Sequence, residues 1–213
     1  GDGRRSCAHA QLIAPGAQAI HKGHIGARVG RDSRLQSHVF SLGGSLARTD
    51  LHVQLAEPGA SCSLDGLYLA RGKEQLDHYV QMDHAAPHTT SEAYYKGVVD
   101  DQGVGGFVGR VLIARGANGS SSEQLNNNLL LSNEAFAHTR PQLEIDNDDV
   151  KASHGSTVGQ LDQDALFYLE SRGLPHNTAQ AMLTLAFAKQ MTHRLPLDYL
   201  KNALKSFISS RLS

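Results

Sequence analysis

The sequence contains no tryptophan and only two cysteines, Cys7 and Cys62, among its 213 residues. Two cysteines cannot supply the disulfide framework on which small secreted proteins depend, which favours a reducing, cytoplasmic setting. No apolar run approaches the roughly 20 residues that span a bilayer. The sequence therefore predicts a cytoplasmic chain with no membrane partner.

Charge of one sign is also lacking. Twenty Lys and Arg residues nearly balance 21 Asp and Glu residues, for a formal net charge of −1. The only dense basic cluster is Arg4–Arg5. A nucleic-acid-binding domain concentrates basic residues on one face, so this balance predicts no nucleic-acid partner.

Glycine, by contrast, is plentiful, at 21 residues or about a tenth of the chain, against roughly 7% in typical proteins. From about residue 8 to residue 158, short runs with alternating apolar residues are separated by Gly, Pro, Asn and Asp. This pattern is typical of β-strands joined by tight turns. The clearest runs are residues 51–55, 67–69, 79–82, 111–113 and 143–145.

A turn phrase rich in Ala, Pro and Gly follows Ile13, Leu55 and Ile113, and an acidic segment takes its place after Ile145. The spacing fits coils of roughly 20 residues with some phrases lost, which is the repeat range of solenoids. The run of asparagines at 126–128 suits either a tight corner or an amide ladder between coils. We favour a parallel β-helix, and a β-sandwich remains the alternative.

The period changes to a helical one after Val158. Asp162 is predicted to cap a first helix that ends before Gly173, a second helix opens at Asn177, and a third follows Pro196. Apolar stripes that require burial run along the last two helices: Ala179, Met182, Leu183, Ala186, Phe187 and Met191 on the second, and Leu200, Leu204, Phe207, Ile208 and Leu212 on the third.

These patterns divide the chain into a β-helix core over residues 1–160 and a small α-helical subdomain over residues 161–213. The strand pattern begins almost at residue 1, with no recognisable opening cap. A bare strand edge favours aggregation. We therefore expect the core to be N-terminally truncated, as part of a longer protein.

No common catalytic signature is present. The glycine-rich residues 103–109 lack dinucleotide-binding spacing and lead into a strand, so they indicate turns. The acidic residues Asp146, Asp148 and Asp149 suit a solvated corner, with hard-metal binding as the alternative. Asp100 and Asp101 suit a turn cap, with paired-acid glycoside chemistry as the alternative. No catalytic residue is predicted.

The chain has 12 histidines, most of which, including His21, His24, His38 and His52, are predicted to be surface or turn residues. His84 and His88 are four apart, but the intervening proline disfavours a shared helical metal face. His154 stands where the strand pattern gives way to the helical one. A neutral imidazole suits iron or zinc, and further ligands can come from another chain. A purely hydrogen-bonding role stays open.

A resemblance to the SufB/SufD family of iron–sulfur cluster assembly scaffolds is dense between residues 94 and 173. The segments that carry it are residues 95–101 (YKGVVDD), 109–111 (GRV), 128–132 (NLLLS), 139–145 (TRPQLEI), 149–151 (DVK), 153–155 (SHG), 157–159 (TVG), 166–169 (LFYL) and 171–173 (SRG), together with Asp162. The resemblance implies a right-handed parallel β-helix followed by a small helical subdomain. It also implies that the family's N-terminal region is missing.

Two departures separate this chain from the SufB branch. SufB-like chains carry a functional cysteine just before an Ala-His-Thr-x-Pro phrase, where this chain has Ala135 and Phe136. They also have Glu at the position of Gly155. Both differences resemble the SufD branch, in which the histidine matching His154 is implicated in holding iron or a nascent cluster at the SufB–SufD interface. Many SufD-like chains have a cysteine at the position of Ala152.

The resemblance implies a non-enzymatic scaffold subunit with two partners. One is a SufB-like β-helix subunit that shares the transient iron or nascent cluster. The other is a SufC-like ATPase that grips the helical subdomain and supplies all nucleotide chemistry. Isolated from its partner, the chain is expected to form a homodimer through its last strands. The alternatives are a structural partner without metal ligation and a carbohydrate-active β-helix enzyme, the latter poorly served by 6% aromatic residues.

Overall fold

The computed structural model describes residues 5–16, 18–195 and 198–212. Within them, parallel strands are followed by helices. The strands are β1 (Ser6–Ile13), β2 (Ile20–Val29), β3 (Arg34–Ser41), β4 (Leu46–Leu55), β5 (Ser61–Ala70), β6 (Gln75–His84), β7 (Thr90–Val99), β8 (Val104–Ile113), β9 (Ser120–Leu130), β10 (Phe136–Ile145) and β11 (Val150–Gly159). The helices are α1 (Gln163–Ser171), α2 (His176–Lys189) and α3 (Asp198–Leu212), with a 3₁₀ helix at Gln190–Arg194.

The strands alternate between two sheets. The odd-numbered strands form one sheet in the order β1-β3-β5-β7-β9-β11, and the even-numbered strands form the other in the order β2-β4-β6-β8-β10. Neighbouring strands in each sheet are parallel. The chain therefore coils, adding one strand to each sheet per turn. The predicted parallel β solenoid is confirmed, and the sandwich alternative, which uses antiparallel sheets, is wrong.

The predicted coil length of roughly 20 residues is also wrong. Ser6 pairs with Arg34 and Arg34 with Ser61, so successive coils are 28 and 27 residues apart in the odd sheet. Each coil holds two strands and two turns, which accounts for the greater length. The spacing of the turn phrase gave the wrong coil length because the phrase is missing from one coil. Leu55 and Ile113 lie at the same corner two coils apart, with His84 at that corner between them.

Large side chains fill the solenoid because glycines opposite them leave room. A Cβ on Gly97 would lie 2.1 Å from the Tyr68 ring, and a Cβ on Gly66 would lie 2.1 Å from the Tyr95 ring. The rings of Tyr68 and Tyr95 each lie 5.5 Å from that of His78. The middle coils thus enclose an aromatic layer in place of the usual small aliphatic rows.

The helix ends follow the sequence signals only in part. Asp162 caps α1 by accepting from the backbone of Asp164 and Ala165, and Gly173, at φ +90°, lies just beyond its end. α2, however, begins at His176 after Pro175, with no side-chain cap, instead of at Asn177. Pro196, predicted to precede α3, lies outside the described residues. None of the helices in the described ranges is long and apolar enough to cross a membrane.

The last helices pack on the outer face of the odd sheet. Leu204 and Ile208 of α3 are buried there with Met191, as their stripes predict, against Leu42 just beyond β3 and the sheet residues Phe40, Leu67, Leu69, Val98 and Leu129. The stripe predicted for α2 is partly wrong. Met182 is 48% exposed and Ala186 is exposed, whereas the buried residues of α2 are Ala179, Thr184 and Ala188. A polar threonine therefore takes a place that the pattern assigned to larger apolar residues.

Candidate functional site

The last coil of the solenoid, formed by β10 and β11, has open strand edges. In the part of the chain that the structure describes, β10 pairs with β8 alone and β11 pairs with β9 alone. The outer edge of each strand presents backbone N–H and C=O groups without strand partners, which are a template for pairing with another chain. Exposed apolar side chains accompany these edges, with Phe136 at 58%, Ile145 at 42% and Val158 at 45% exposure.

His154 lies in the middle of β11, in register with Gln124 of β9. Side chains on a strand alternate between its two faces, and Gln124 is buried at 1% exposure, so His154 shares the inward-facing column. It is nevertheless exposed, because no further coil covers it. Within the described ranges, no hydrogen bond or ion pair engages its ring. The imidazole therefore stands uncommitted at the open end of the solenoid.

Beneath this end the interior turns polar. Asn126 and Asn128 point inward from β9 and are buried, with Asn128 Nδ2 donating to Asn126 Oδ1 at 2.7 Å. One coil further out, Ser156 Oγ of β11 donates to Thr139 Oγ1 of β10 at 2.8 Å, bridging the two sheets. The corner predicted for residues 126–128 is wrong, since all three lie within a strand. The alternative, an amide ladder between coils, is not formed either: Asn126 and Asn128 bond to each other within β9, and Asn128 Nδ2 also donates to the backbone oxygen of Thr157 on the next coil.

The positions where related chains are expected to carry thiols hold methyl groups that pack on the core. Ala135 is buried at 8% exposure just before β10, and Ala152 is partly buried two residues before His154. No group of three or more His, Cys, Asp or Glu side chains is arranged to hold a metal ion among residues 5–16, 18–195 and 198–212. Any metal site at His154 would therefore draw ligands from outside these residues.

Both acidic clusters are parts of turns. At the corner between β10 and β11, Asn147 Nδ2 donates to Arg115 O at 2.7 Å, and Asp148 and Asp149 are exposed beside it. After β7, the backbone N–H of Asp101, at φ +54°, donates to Asp100 Oδ1 at 2.9 Å. The solvated corner and the turn cap predicted for them are both observed.

The histidine predictions are wrong at His38, which is fully buried on the outer face of β3. His38 Nδ1 lies 3.3 Å from Asp65 Oδ2, and burial lowers the pKa of His38 to about 4. Arg194 of the 3₁₀ helix reaches the same carboxyl, with Nε 2.5 Å from Asp65 Oδ1 and Nη2 3.2 Å from Glu92 Oε2. Burial raises the pKa of Asp65 to about 6, although Arg194 opposes the shift.

A second cation ties α2 to the same sheet. Lys96, only 2% exposed, donates through Nζ to Phe187 O at 3.2 Å, and Nζ lies 3.9 Å from the centre of the Phe187 ring. Burial lowers the pKa of Lys96 to about 8. Lys96 and Arg194 therefore fix the helices to the solenoid, a role that local pattern could not reveal because their partners are about 90 to 130 residues away in sequence.

A second exposed surface lies on the helices. Phe167 is 71% exposed and Tyr168 is 57% exposed on α1, and Met182 is 48% exposed on α2, which packs beside it. Contiguous exposed apolar patches mark protein-binding surfaces, so these side chains make α1 and α2 a candidate for one. The molecule thus carries two candidate interaction surfaces, one at the last coil and one on α1 and α2.

Comparisons with known proteins give one family model and several curated relatives. Residues 6–187 match the family model described as "SUF system FeS cluster assembly, SufBD core domain". The chain is 34% identical over 204 residues to the iron–sulfur cluster assembly protein SufD of Escherichia coli, covering 96% of this chain and 48% of the relative. It is 34% identical over 182 residues to the SufBD family protein slr0076 of Synechocystis, covering 85% and 40%.

A plant relative, the chloroplastic protein ABCI7 of Arabidopsis thaliana, is 30% identical over 175 residues, covering 81% of this chain and 36% of the relative. The chain spans about half the length, or less, of the curated relatives it matches. The residues matched by the family model nevertheless include all strands from β1 to β11, α1, and α2 up to residue 187.

Proposed function

The chain belongs to the SufBD core family of the SUF iron–sulfur cluster assembly system, and on that premise we propose that it acts as a SufD-type scaffold subunit without catalytic activity of its own. Its last coil pairs with a SufB-like solenoid and helps to hold iron or a nascent cluster as cargo. The observation that carries this proposal is the uncommitted ring of His154 at an end whose strand edges are open.

Edge pairing gives the partner a defined register. Strands of a SufB-like subunit that align with β10 or β11 accept and donate backbone hydrogen bonds along the free edge, and Phe136, Ile145 and Val158 lose their exposed surface. The same pairing encloses His154 between two solenoids. In isolation the edges pair with a second copy of this chain, which gives the expected homodimer.

His154 then supplies a neutral ring nitrogen to iron held at the junction. Imidazole is a suitable ligand for iron, and thiolate is the usual ligand of Fe–S clusters. Neither Ala135 nor Ala152 can provide a thiolate, so that ligand comes from the SufB-like partner. The role of this chain is to present a lone pair and to shape the junction.

The helical subdomain, residues 161–213, is proposed to bind the ATPase partner. The exposed side chains Phe167 and Tyr168 of α1 and Met182 of α2 supply the apolar contact. Arg194 and Lys96 support the proposal because they anchor the helices to the sheet. A movement imposed on the helices is therefore transmitted to the solenoid. ATP hydrolysis belongs to the SufC-like partner, and the assembly works in the cytoplasm.

The SufD-type assignment is supported by the SufD relative of Escherichia coli and by Gly155, which has no side chain to act as a ligand. A purely structural role for the same interface is the second candidate, favoured by the absence of a three-ligand group in the described ranges. A carbohydrate-active enzyme is not supported, since the Asp100 carboxylate accepts from the backbone N–H of Asp101 and the Asp101 carboxylate accepts from that of Gly72 on the neighbouring coil.

Reconstitution tests the ligand role. The complete polypeptide containing this chain is combined with SufB-type and SufC-type subunits, and cluster formation and iron content are measured. His154→Ala is expected to lower both, whereas His138→Ala, an exposed histidine on the outward face of β10, is expected to change neither. Equal iron content in wild type and His154→Ala, with the complex intact, would leave the structural role as the answer.

A further inference from the structure

Gln124, directly below His154 in the inward-facing column, has an unsatisfied side-chain oxygen. It lies in β9 at 1% exposure, and its Nε2 donates to Gly109 O across the solenoid at 3.3 Å. Its Oε1 is buried and has no hydrogen-bond partner. A buried acceptor without a donor is unfavourable, so this oxygen needs an explanation.

The orientation of the amide follows from Gly109. A Cβ at that position would lie 2.3 Å from Gln124 Oε1 and 2.6 Å from Nε2, so only glycine lets the amide lie across the interior. The Gly109 carbonyl is an acceptor and requires the NH₂ group to face it. Exchanging the two amide atoms would set two oxygens against each other. The free Oε1 is therefore a consequence of the packing.

The neighbouring side chains on β7 and β9 do not supply a donor. Ala93, in register on β7, has none. Ser122 is bonded to Ser91 at 2.8 Å, and Asn126 Nδ2 donates to Tyr95 O and to the Tyr68 hydroxyl. On the last coil, His154 stands in register with Gln124 and has a ring without a partner. In-register side chains on adjacent parallel strands are about 4.8 Å apart.

We propose that Gln124 is a positioning residue for His154: rotation of the exposed ring, which makes no hydrogen bond to the described residues as it stands, brings a ring N–H to donate to the unpartnered Gln124 Oε1. The hydrogen bond fixes which ring nitrogen carries the proton and directs the other, with its lone pair, out of the open end. Histidines that ligate metals commonly donate their second ring N–H to an acceptor in this way. That this hydrogen bond helps to bind iron rests on the proposed function. The hydrogen bond itself joins two residues of this chain and forms without a partner subunit.

The test is the tautomer of His154 in the metal-free chain, read from ring ¹⁵N shifts at about pH 8.5, above the usual histidine range, with the signals assigned by their loss in His154→Gln. One tautomer is expected to dominate in wild type. In Gln124→Met, which keeps the length but removes the acceptor, the two shifts are expected to move towards their exchange average. Gln142→Met, the same change on the outward face of β10, is the control.

Unchanged shifts in Gln124→Met would overturn the proposal. So would a change caused by Thr139→Val, since His154 would then owe its tautomer to the Ser156–Thr139 hydrogen bond of the same coil. If Gln124→Met does not fold, wild type and Thr139→Val decide the outcome. One dominant tautomer in wild type that persists in Thr139→Val supports the proposal, and a mixture of tautomers in wild type overturns it.

The reconstituted complex gives an independent readout. There, Gln124→Met is expected to weaken iron retention about ten- to hundredfold, the usual effect of losing a partner of a ligating histidine. If His154→Ala leaves iron unchanged, the proposed function fails, while the tautomer of the metal-free chain still decides whether Gln124 positions the ring.

Discussion

Arg194 Nε lies 2.5 Å from Asp65 Oδ1 and joins the 3₁₀ helix to the outer face of the odd sheet across 129 residues of sequence. Asp65 is 2% exposed, whereas the Arg194 side chain is 35% exposed. The carboxylate is therefore the partner that depends on the pair, because it has little water to replace the guanidinium. This contact connects the proposed ATPase-binding helices to the solenoid.

Arg194→Ala is expected to lower the free energy of unfolding by about 2–3 kcal/mol, because it leaves the buried Asp65 carboxylate without its cationic partner. Arg48→Ala, which removes an exposed pair with Asp50, is the control and is expected to cost under about 1 kcal/mol. Urea denaturation measures both. If Arg194→Ala costs no more than the control, Arg194 does not anchor the helices.

The buried histidines predict a loss of stability in acid. Burial lowers the pKa of His78 to about 4, whereas in the unfolded chain it titrates near 6.5. The resulting stability is complete above pH 6.5 and is lost as the pH falls to about 4, a difference of about 3 kcal/mol. The raised pKa of Asp65 increases the stability as the pH falls from about 6 to about 4. The contribution of His78 is therefore isolated by comparing a His78 variant with wild type.

His78→Phe keeps a ring between Tyr68 and Tyr95 and removes the titrating group. Its unfolding free energy is expected to fall less between pH 7 and pH 5 than that of wild type, whereas exposed His24→Phe is expected to follow wild type. The measurement is denaturation at both pH values. Identical slopes in His78→Phe and wild type would mean that His78 is not held neutral by burial.

The close packing of Tyr68 over Gly97 predicts that this glycine is not replaceable. Gly97→Ala places a Cβ 2.1 Å from the ring, and overpacking of a core costs about 1–3 kcal/mol. Gly116→Ala, where nothing lies within 4 Å, is the matched control and is expected to be nearly neutral. Thermal unfolding of the two variants decides the matter, and equal melting temperatures would contradict the packing.

Association through the last coil predicts that Val158 is sensitive to charge. Val158→Asp sets a carboxylate at the proposed junction and is expected to weaken binding to the SufB-type partner at least about tenfold, in line with the cost of an unpaired charge at an interface. Ile20→Asp, at the 73% exposed position on β2 at the opposite end, is the control. Sedimentation velocity that finds both variants equally associated would rule out the last coil.

The sequence was informative where a signal is local. The alternation of apolar residues predicted the strands, and Asp162 and Gly173 marked the ends of α1 because capping involves only neighbouring residues. The parallel solenoid followed from repeated turns. The coil length could not be predicted, because two copies of the turn phrase, after Leu55 and Ile113, are separated by two coils. The third copy, after Ile13, follows a strand of the other sheet.

Features that depend on register or on distant contacts were not predictable. His38 resembles any other polar strand residue, and its burial beside the Asp65 carboxyl that Arg194 also reaches depends on residues far away in sequence. Met182 fits an apolar stripe, yet the docking angle of α2 leaves it exposed. In the site itself, the family resemblance of the residues flanking His154 marked it as a candidate. Gln124 became relevant only through its register with His154.

The central claim is that His154 binds iron at the junction with a SufB-type partner. Iron-edge absorption spectroscopy of the reconstituted complex, with wild type compared to His154→Ala and to His138→Ala, tests it most directly. We predict an Fe–N scattering contribution in wild type and in His138→Ala that is lost in His154→Ala. The same Fe–N contribution in all three complexes would contradict the account.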